Sequence, residues 1–175
     1  TSEEYPERNI FLTQYKISKY PITSGEYKIF VRDKNYREPP TFQNSNFNSS
    51  RQPVVAVSWY DANEYCKWFS EKYSVLASLP TEAQWEKAAR GIDGKTYPWG
   101  DAAPTSRIIN VNSYVGQTTE VGIYDNSSEF GCYDMLGNIW EWCDDYYDEY
   151  YYKMSPFINP INKKCNRYKS TRGGS

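Results

Sequence analysis

The chain of 175 residues contains no histidine, and this absence excludes two common kinds of catalytic site. Ser-His-Asp and Cys-His arrangements both need an imidazole to move a proton, and imidazole is also the commonest side-chain ligand for transition metals. Any catalytic or metal-binding site in this chain therefore has to be built from carboxylate, hydroxyl, amide, thiolate or backbone groups.

Long apolar runs and basic stretches are also missing. No run approaches the roughly 20 residues that a membrane-spanning helix needs, and the opening TSEEYPERN lacks the order of a signal peptide. The net charge is −2 and Lys and Arg are scattered, so we expect neither nucleic acid nor a membrane as partner. The compartment is left open, with the cytoplasm slightly favoured by unpaired cysteines and the absent signal peptide.

Cysteines are few, and their spacing matches neither a CxxC pair nor a zinc site. The four are Cys66, Cys132, Cys143 and Cys165. We interpret them as buried or free thiols, with a structural disulfide as the alternative. Cys66 lies on the apolar face of a predicted helix, where a thiol is typically a small core residue.

Aromatic residues are abundant, with 18 Tyr and 6 Trp in a chain whose mean hydropathy is −0.83. Such a composition predicts a core of amphipathic rings rather than of aliphatic side chains. A single domain of this length buries about 70% of the surface that its unfolded chain exposes.

Three helices are predicted from residues that cap helix N-termini. The signals are Thr23 or Ser24, Ser58 with Asp61, and Thr81 with Gln84. Alternation in residues 10–20 predicts a half-buried strand, and residues 97–131 are typical of long loops because they are rich in Gly, Pro, Asn and Ser. The pattern indicates an α+β domain with few long elements.

Five motifs in one order carry a resemblance to a known family. They are PVVAVSWYDANEYCKWF, LPTEAQWEKAARG, YPWGD, FGCYDMLGNIWEWCDD and the terminal RGGS. This series resembles the formylglycine-generating enzymes, also called sulfatase-modifying factors, over most of residues 10–175. The resemblance implies an elaborated C-type-lectin-like α+β fold with low regular secondary structure. It also implies one domain over residues 1–175 that is truncated at its C-terminus and perhaps at its N-terminus.

The resemblance also raises the question of whether this chain contains a copper site. Enzymes of this family oxidise a substrate cysteine to formylglycine with oxygen, and they bind Cu(I) through two cysteines just downstream of RGGS. Soft thiolates suit Cu(I). The present sequence ends at Ser175 within that motif, so we assign no catalytic residue and expect Cu(I) only if such cysteines lie beyond Ser175. Other members have the fold without the oxidase chemistry, including variable proteins of diversity-generating retroelements and modules appended to kinases.

The resemblance also implies calcium at the motif YDMLGNIWEW. Transferred onto this chain, the ligands are the carboxylates of Asp134 and Glu141 and the backbone carbonyls of Gly137 and Ile139. Oxygen ligands are those that calcium prefers, and a turn containing glycine allows them to converge. The alternative interpretation is that Asp134 caps the turn and Glu141 is a surface acid.

A second calcium of the family would correspond to Asn110 and Val111. This site is the weaker of the two predictions, because the loop that follows, NSYVGQTTEVG, carries a single acid, Glu120.

The leading functional hypothesis is a non-catalytic ligand- or protein-recognition domain, stabilised by calcium and binding its partner near the C-terminal end. One alternative is a fragment of a copper-dependent formylglycine-generating oxidase that acts on sulfatase cysteines. Another is a structural module of a larger multidomain protein. The four tryptophans of the shared motifs are expected to belong to the aromatic core, and they are Trp85, Trp99, Trp140 and Trp142.

Overall fold

The computed structural model describes residues 7–103, 105 and 117–174, which form an α+β structure with little regular secondary structure. The helices are α1 (Ser24–Lys34), α2 (Trp59–Tyr73), α3 (Glu82–Arg90) and the short α4 (Tyr151–Met154), with a 3₁₀ turn at Pro40–Gln43. Two strands, β1 (Glu141–Tyr146) and β2 (Lys169–Arg172), pair antiparallel, with Glu141 opposite Arg172. The other described residues form turns, bends and loops.

Each of the three long helices begins with a capping box. The sequence predicts the box for α2 and α3, and for α1 it predicts the cap as Thr23 or Ser24. The caps are Thr23 with Glu26, Ser58 with Asp61, and Thr81 with Gln84. In each box the hydroxyl accepts a hydrogen bond from the third residue's backbone N–H, and that residue's side chain accepts one from the cap's backbone. Such a cap contributes about 1 kcal/mol of stability. The three predicted helices are confirmed.

Helices α1 and α2 enclose a group of rings that we call the aromatic cluster. Its members are Tyr27, Phe30, Phe42, Tyr65 and Trp68. Tyr27 stacks on Tyr65 with ring centroids 5.6 Å apart, and Phe30 meets Tyr65 edge to face at 5.7 Å. These arrangements are the ones that aromatic quadrupoles favour. The cluster therefore confirms the prediction of a ring-based core for the region between α1 and α2.

The strand predicted for residues 10–20 is wrong, since the segment forms a β-bridge at one residue only. Phe11 pairs with Ile158 in an isolated parallel bridge. Pairing stops there because Asn159 adopts a φ of +46° and the next residue is a proline without an N–H to donate. Phe11 is 52% exposed, whereas Tyr15 donates its hydroxyl hydrogen to a backbone carbonyl of α3 at 2.8 Å. The alternation predicts burial from Phe11 onward, but in the structure Phe11 is exposed and the contact with α3 is made by Tyr15.

A second core lies between α3 and the strands, and we call it the sulfur-rich core. Its members are Trp85, Ala88, Ala89, Cys132, Met135 and Cys143. Arg172 at the end of β2 forms an ion pair with Glu82 at 2.8 Å, which fastens the sheet to α3. The loop that leads into β1 passes through this core.

Within the described ranges, no helix combines the length and the apolar character that crossing a membrane requires.

Candidate metal-binding loop

Residues 131–141, which we call the metal loop, connect the sulfur-rich core to β1. Their backbone is tightly coiled, because Asp134, Gly137 and Asn138 all have positive φ, at 58°, 93° and 67°. A positive φ is costly for residues other than glycine and is best tolerated by Asn and Asp. The conformation is therefore maintained by specific interactions of the side chains, beginning with Asp134.

Asp134 is enclosed, with 1% of its surface exposed. One carboxylate oxygen, Oδ2, accepts a hydrogen bond from the backbone N–H of Gly122 at 2.9 Å. The other, Oδ1, is buried and has no hydrogen-bond partner among the residues that the structure describes. Burial raises the pKa of this carboxyl, while the hydrogen bond from Gly122 and the nearby side-chain amides of Asn126 and Asn138 oppose the shift. A charged group with one unsatisfied buried oxygen is unfavourable unless a ligand compensates it.

Glu141, the first residue of β1, also has a buried carboxylate oxygen without a hydrogen-bond partner among the described residues. The residue as a whole is half-buried, but its oxygen Oε1 is enclosed and lacks a hydrogen bond from any described residue. Burial raises the pKa of this carboxyl to about 8, and the charge of Asp134 adds to the rise. The indole N–H of Trp85 opposes it, although Trp85 Nε1 and Glu141 Oε1 do not reach ordinary hydrogen-bond geometry. Asp134 and Glu141 are thus close enough to influence each other.

The two predicted carbonyl ligands have different surroundings. The carbonyl of Gly137 accepts a hydrogen bond from the N–H of Ile139 at 2.8 Å across a three-residue turn. The carbonyl of Ile139 faces Gly173, just after β2, because a Cβ placed there would lie 2.7 Å from this oxygen. The same Cβ would lie 3.9 Å from Glu141 Oε1. Ile139 and Glu141 therefore present oxygens on the same side of the loop.

The donor set fits a hard cation. It combines two acids that each have an unpartnered buried oxygen with at least one carbonyl, and calcium takes ligands of these kinds. The described ranges hold no group of three or more His, Cys, Asp or Glu side chains that could hold a metal ion. A site at the metal loop would accordingly depend on backbone oxygen and water to complete its coordination.

Asn110 and Val111, the residues of the second predicted calcium site, lie outside the described residues. That site stays a prediction.

The thiols match the interpretation made from sequence. All four cysteines are free, Cys132 and Cys143 are 2% and 0% exposed, and Cys165 lies at the surface. Burial raises the pKa of Cys66 to about 11 and also raises the pKa of Cys132 and Cys143. A thiol with a raised pKa is protonated at neutral pH and is a poor nucleophile and metal ligand.

Sequence reasoning misplaced Trp140. Trp85 is buried and Trp142 donates its indole N–H to the carbonyl of Val57 at 3.0 Å, as expected of core residues, but Trp140 is 60% exposed. Its ring lies beside Gly174, where an added Cβ would be 3.7 Å from a ring carbon. Gly174 thus lies beside the indole without a side chain of its own.

Asn138 was also missed as a contributor to the site. Its side chain is buried and makes two hydrogen bonds to the backbone of Thr119, accepting one at 2.9 Å and donating one at 3.2 Å. The Gly-Asn pair in LGN predicts a turn, and the second role of the amide in holding a neighbouring loop depends on tertiary contacts.

The fold and these motifs define a single family. The model of the sulfatase-modifying factor enzyme 1-like domain matches residues 1–175. The chain belongs to this family, which confirms the resemblance inferred from the five motifs.

Two curated relatives show how diverse the family is. The formylglycine-generating enzyme of Streptomyces coelicolor is 32% identical over 160 residues, which cover 84% of this chain and 49% of that protein. Serine/threonine-protein kinase Pkn1 of Chlamydia trachomatis is 31% identical over 192 residues, covering 98% of this chain and 30% of the kinase. The chain thus spans half or less of these relatives, and family membership leaves the activity open.

Solved structures agree on the fold. PvdO from Pseudomonas aeruginosa superposes with a TM-score of 0.75 at 24% identity, covering 90% of this chain and 66% of that one. Variable protein 1 of Treponema denticola gives a TM-score of 0.63 at 19% identity, covering 95% and 74%. At these identities the likeness concerns the architecture alone.

Proposed function

We propose that this chain is a non-catalytic recognition domain with a C-type-lectin-like fold of the formylglycine-generating-enzyme type. We further propose that a calcium ion at Asp134, Gly137, Ile139 and Glu141 stabilises it. The first part is supported by the chemistry of the thiols and the second by the unpartnered oxygens of the metal loop.

The observation that carries the calcium proposal is the pair of enclosed carboxylate oxygens, Asp134 Oδ1 and Glu141 Oε1. Two neighbouring buried acids repel each other when ionised, and in the absence of a cation the pair lowers this cost by holding a proton. A divalent cation between them removes the repulsion and satisfies both oxygens. The ion would serve the structure of the loop, and no reaction step is assigned to it.

The non-catalytic proposal is supported, for the described residues alone, by the state of their thiols. Oxidation through Cu(I) needs two thiolates that converge on the metal. Cys132 and Cys143 are enclosed and held protonated by burial, while Cys165 is exposed. Within the described part of the chain, these thiols also belong to no group of three or more His, Cys, Asp or Glu side chains that could hold a metal ion.

A recognition role is supported by the surface near the end of β2. Trp140, 60% exposed beside Gly174, offers a large amphipathic ring of the kind enriched where proteins bind partners. The matched stretch amounts to 30% of the Chlamydia kinase, so in that relative the domain forms part of a larger chain, as a recognition module does.

The second candidate is an oxidase whose copper-binding cysteines lie beyond Ser175. It is favoured by 32% identity to the Streptomyces enzyme. Under this alternative the described residues would supply the scaffold, and the reactive thiols would come from further along the chain.

Activity separates the two candidates. The full-length protein is incubated with Cu(I), oxygen and a peptide carrying the CxPxR motif of sulfatases, with the Streptomyces coelicolor enzyme as positive control. We expect the peptide thiol to persist in mass spectra. Conversion to formylglycine by this protein would contradict the non-catalytic proposal.

Calcium binding is tested separately by isothermal titration of the chelator-treated chain. We expect binding by the native chain and none by the double variant Asp134→Asn, Glu141→Gln. The matched control is Asp125→Asn, Glu149→Gln, which neutralises two exposed acids and should bind as the native chain does. Heat of binding that survives in the first variant would refute this site.

A further inference from the structure

Two consecutive glycines after β2 contact two different parts of the metal loop. Gly173 and Gly174 have nearly the same φ, +96° and +94°. A Cβ on Gly173 would lie 2.7 Å from the carbonyl oxygen of Ile139, whereas a Cβ on Gly174 would lie 3.7 Å from the ring of Trp140. The first distance is prohibitive and the second is ordinary van der Waals contact.

The chain just before Gly173 is fixed from the other side. Arg172 pairs with Glu141 across the sheet, and its guanidinium contacts Glu82 at 2.8 Å and Glu86 at 3.7 Å on α3. Gly173 therefore lies between the chain segment that Arg172 fastens to α3 and the carbonyl of Ile139 in the metal loop. A shift of the Ile139 carbonyl cannot be absorbed by moving β2 away.

In the sequence, Trp140 lies between two of the proposed calcium ligands. Ile139 precedes it and offers its carbonyl, while Glu141 follows it and offers its carboxylate. Whatever fixes both neighbours also restrains the backbone of Trp140, whose indole lies beside Gly174.

We propose that Gly173 is a positioning residue of the metal site and that calcium occupancy sets the exposure of Trp140 over Gly174. This inference rests on the proposed calcium binding. The bare Cα of Gly173 allows the Ile139 carbonyl to face the ion, and the bound ion holds the indole against Gly174. The exposed surface at the end of β2 thereby becomes calcium-dependent, with the reciprocity that any coupling of two sites requires.

The glycine pair supplies a matched experiment. Gly173→Ala and Gly174→Ala impose similar backbone strain because both residues have positive φ, but only the first places a methyl against a proposed ligand. Calcium affinity is measured by isothermal titration, with folding checked by circular dichroism. We expect Gly173→Ala to weaken the affinity about tenfold or more and Gly174→Ala to change it less than about twofold. Equal affinities for the two variants would overturn the proposal.

A second experiment uses the native chain, so that it holds even if Gly173→Ala fails to fold. Quenching of tryptophan fluorescence by acrylamide is measured in chelator and in calcium, and Trp140→Phe identifies the contribution of residue 140. We expect calcium to reduce quenching in the native chain and to leave Trp140→Phe unchanged. Quenching of the native chain that calcium does not alter would overturn the coupling.

The two proposals fail differently. If the native chain takes up no calcium, the calcium proposal itself fails, and this inference fails with it. If the native chain binds calcium while Gly173→Ala binds it equally well or Trp140 does not respond, only the coupling is wrong.

Discussion

Between α1 and α2 the interior consists of rings in contact with rings, whereas between α3 and β1 it holds carboxyl and amide groups beside sulfur. The aromatic cluster is stabilised by area removed from water, which needs no ligand. The metal loop contains Asp134 and Glu141 with buried oxygens left unpartnered by the described residues. Burial there is unfavourable until something compensates the charge.

This difference indicates a division of roles. The aromatic cluster supplies stability that does not depend on the ionic conditions, so it can serve as a scaffold. The metal loop has a stability that depends on what it binds. Conditions that change one region should therefore leave the other largely unaffected, and four experiments test that separation.

The largest effect is expected in the aromatic cluster. Phe30 is 1% exposed and contacts four other rings, so Phe30→Ala should lower the free energy of unfolding by about 3–5 kcal/mol. Phe157→Ala, at a residue 61% exposed, is the control and should cost less than about 0.5 kcal/mol. Urea denaturation measures both. If Phe30→Ala lowers the free energy of unfolding by different amounts in calcium and in chelator, the two regions are not independent.

Calcium removal is expected to have the next largest effect. An ion that binds only the native state at about 100 times its dissociation constant adds about 2.7 kcal/mol of stability. Chelation should remove this amount from the native chain and nothing from the Asp134→Asn, Glu141→Gln variant. In chelator the variant should be at least as stable as the native chain, because it buries no charge at these positions. Thermal unfolding with and without calcium measures both results.

Acid should affect the aromatic region through Asp61. Burial alone would raise the pKa of this carboxyl, but hydrogen bonds from Ser58, Arg37 and Tyr36 outweigh it and lower the pKa from 3.8 to about 2. Because the folded pKa lies below the unfolded one, the contribution is fully present above pH 3.8 and is lost as the pH falls toward 2.

The Asp61 contribution is measured by comparing Asp61→Asn with the native chain across this pH range. We expect a deficit of about 1–2 kcal/mol at pH 7 that narrows in acid, reduced from the full shift because Arg37 lies in water that screens its charge. Asp93→Asn, at an exposed residue, is measured alongside as the control for removing a surface carboxylate. If the difference in the free energy of unfolding stays constant down to about pH 2, the loss comes from packing and the charge of Asp61 does not contribute.

The smallest effect concerns the helix that supports the metal loop. Thr81 caps α3, accepting a hydrogen bond from the N–H of Gln84 at 3.1 Å, and Thr81→Ala should cost about 1 kcal/mol. Thr81→Ser keeps the hydroxyl and should cost little. Both variants should bind calcium with unchanged affinity in titrations. Weaker binding by the alanine variant would show that α3 helps to position the ligands.

The fold was largely predictable, and the reason is local. Ser58 and Asp61, or Thr81 and Gln84, complete their hydrogen bonds within one helical turn, so the sequence identifies them without knowledge of the rest of the chain. The side chains that each helix buries were less predictable. For α2 the sequence placed Cys66 on the apolar face, but the residues of α2 that enter the aromatic cluster are Tyr65 and Trp68, while Cys66 is only half-buried.

The candidate site was predictable only in its composition. The motif gave Asp134 and Glu141 through resemblance, but the supporting contacts from Gly122, Asn126 and Thr119 come from a loop whose sequence carries no comparable signal. Trp140 was assigned to the core because it lies in a motif with Trp142, whereas the structure places its ring beside Gly174 with 60% of its surface exposed.

The sequence by itself determined the family, the three capped helices and the ring-based character of the core, because these depend on patterns within a few residues. The tertiary structure decided which oxygens lack partners and which glycine stands against Ile139. Those facts depend on the approach of segments distant in the chain, and in particular on β2, whose pairing with β1 brings Gly173 to the carbonyl of Ile139.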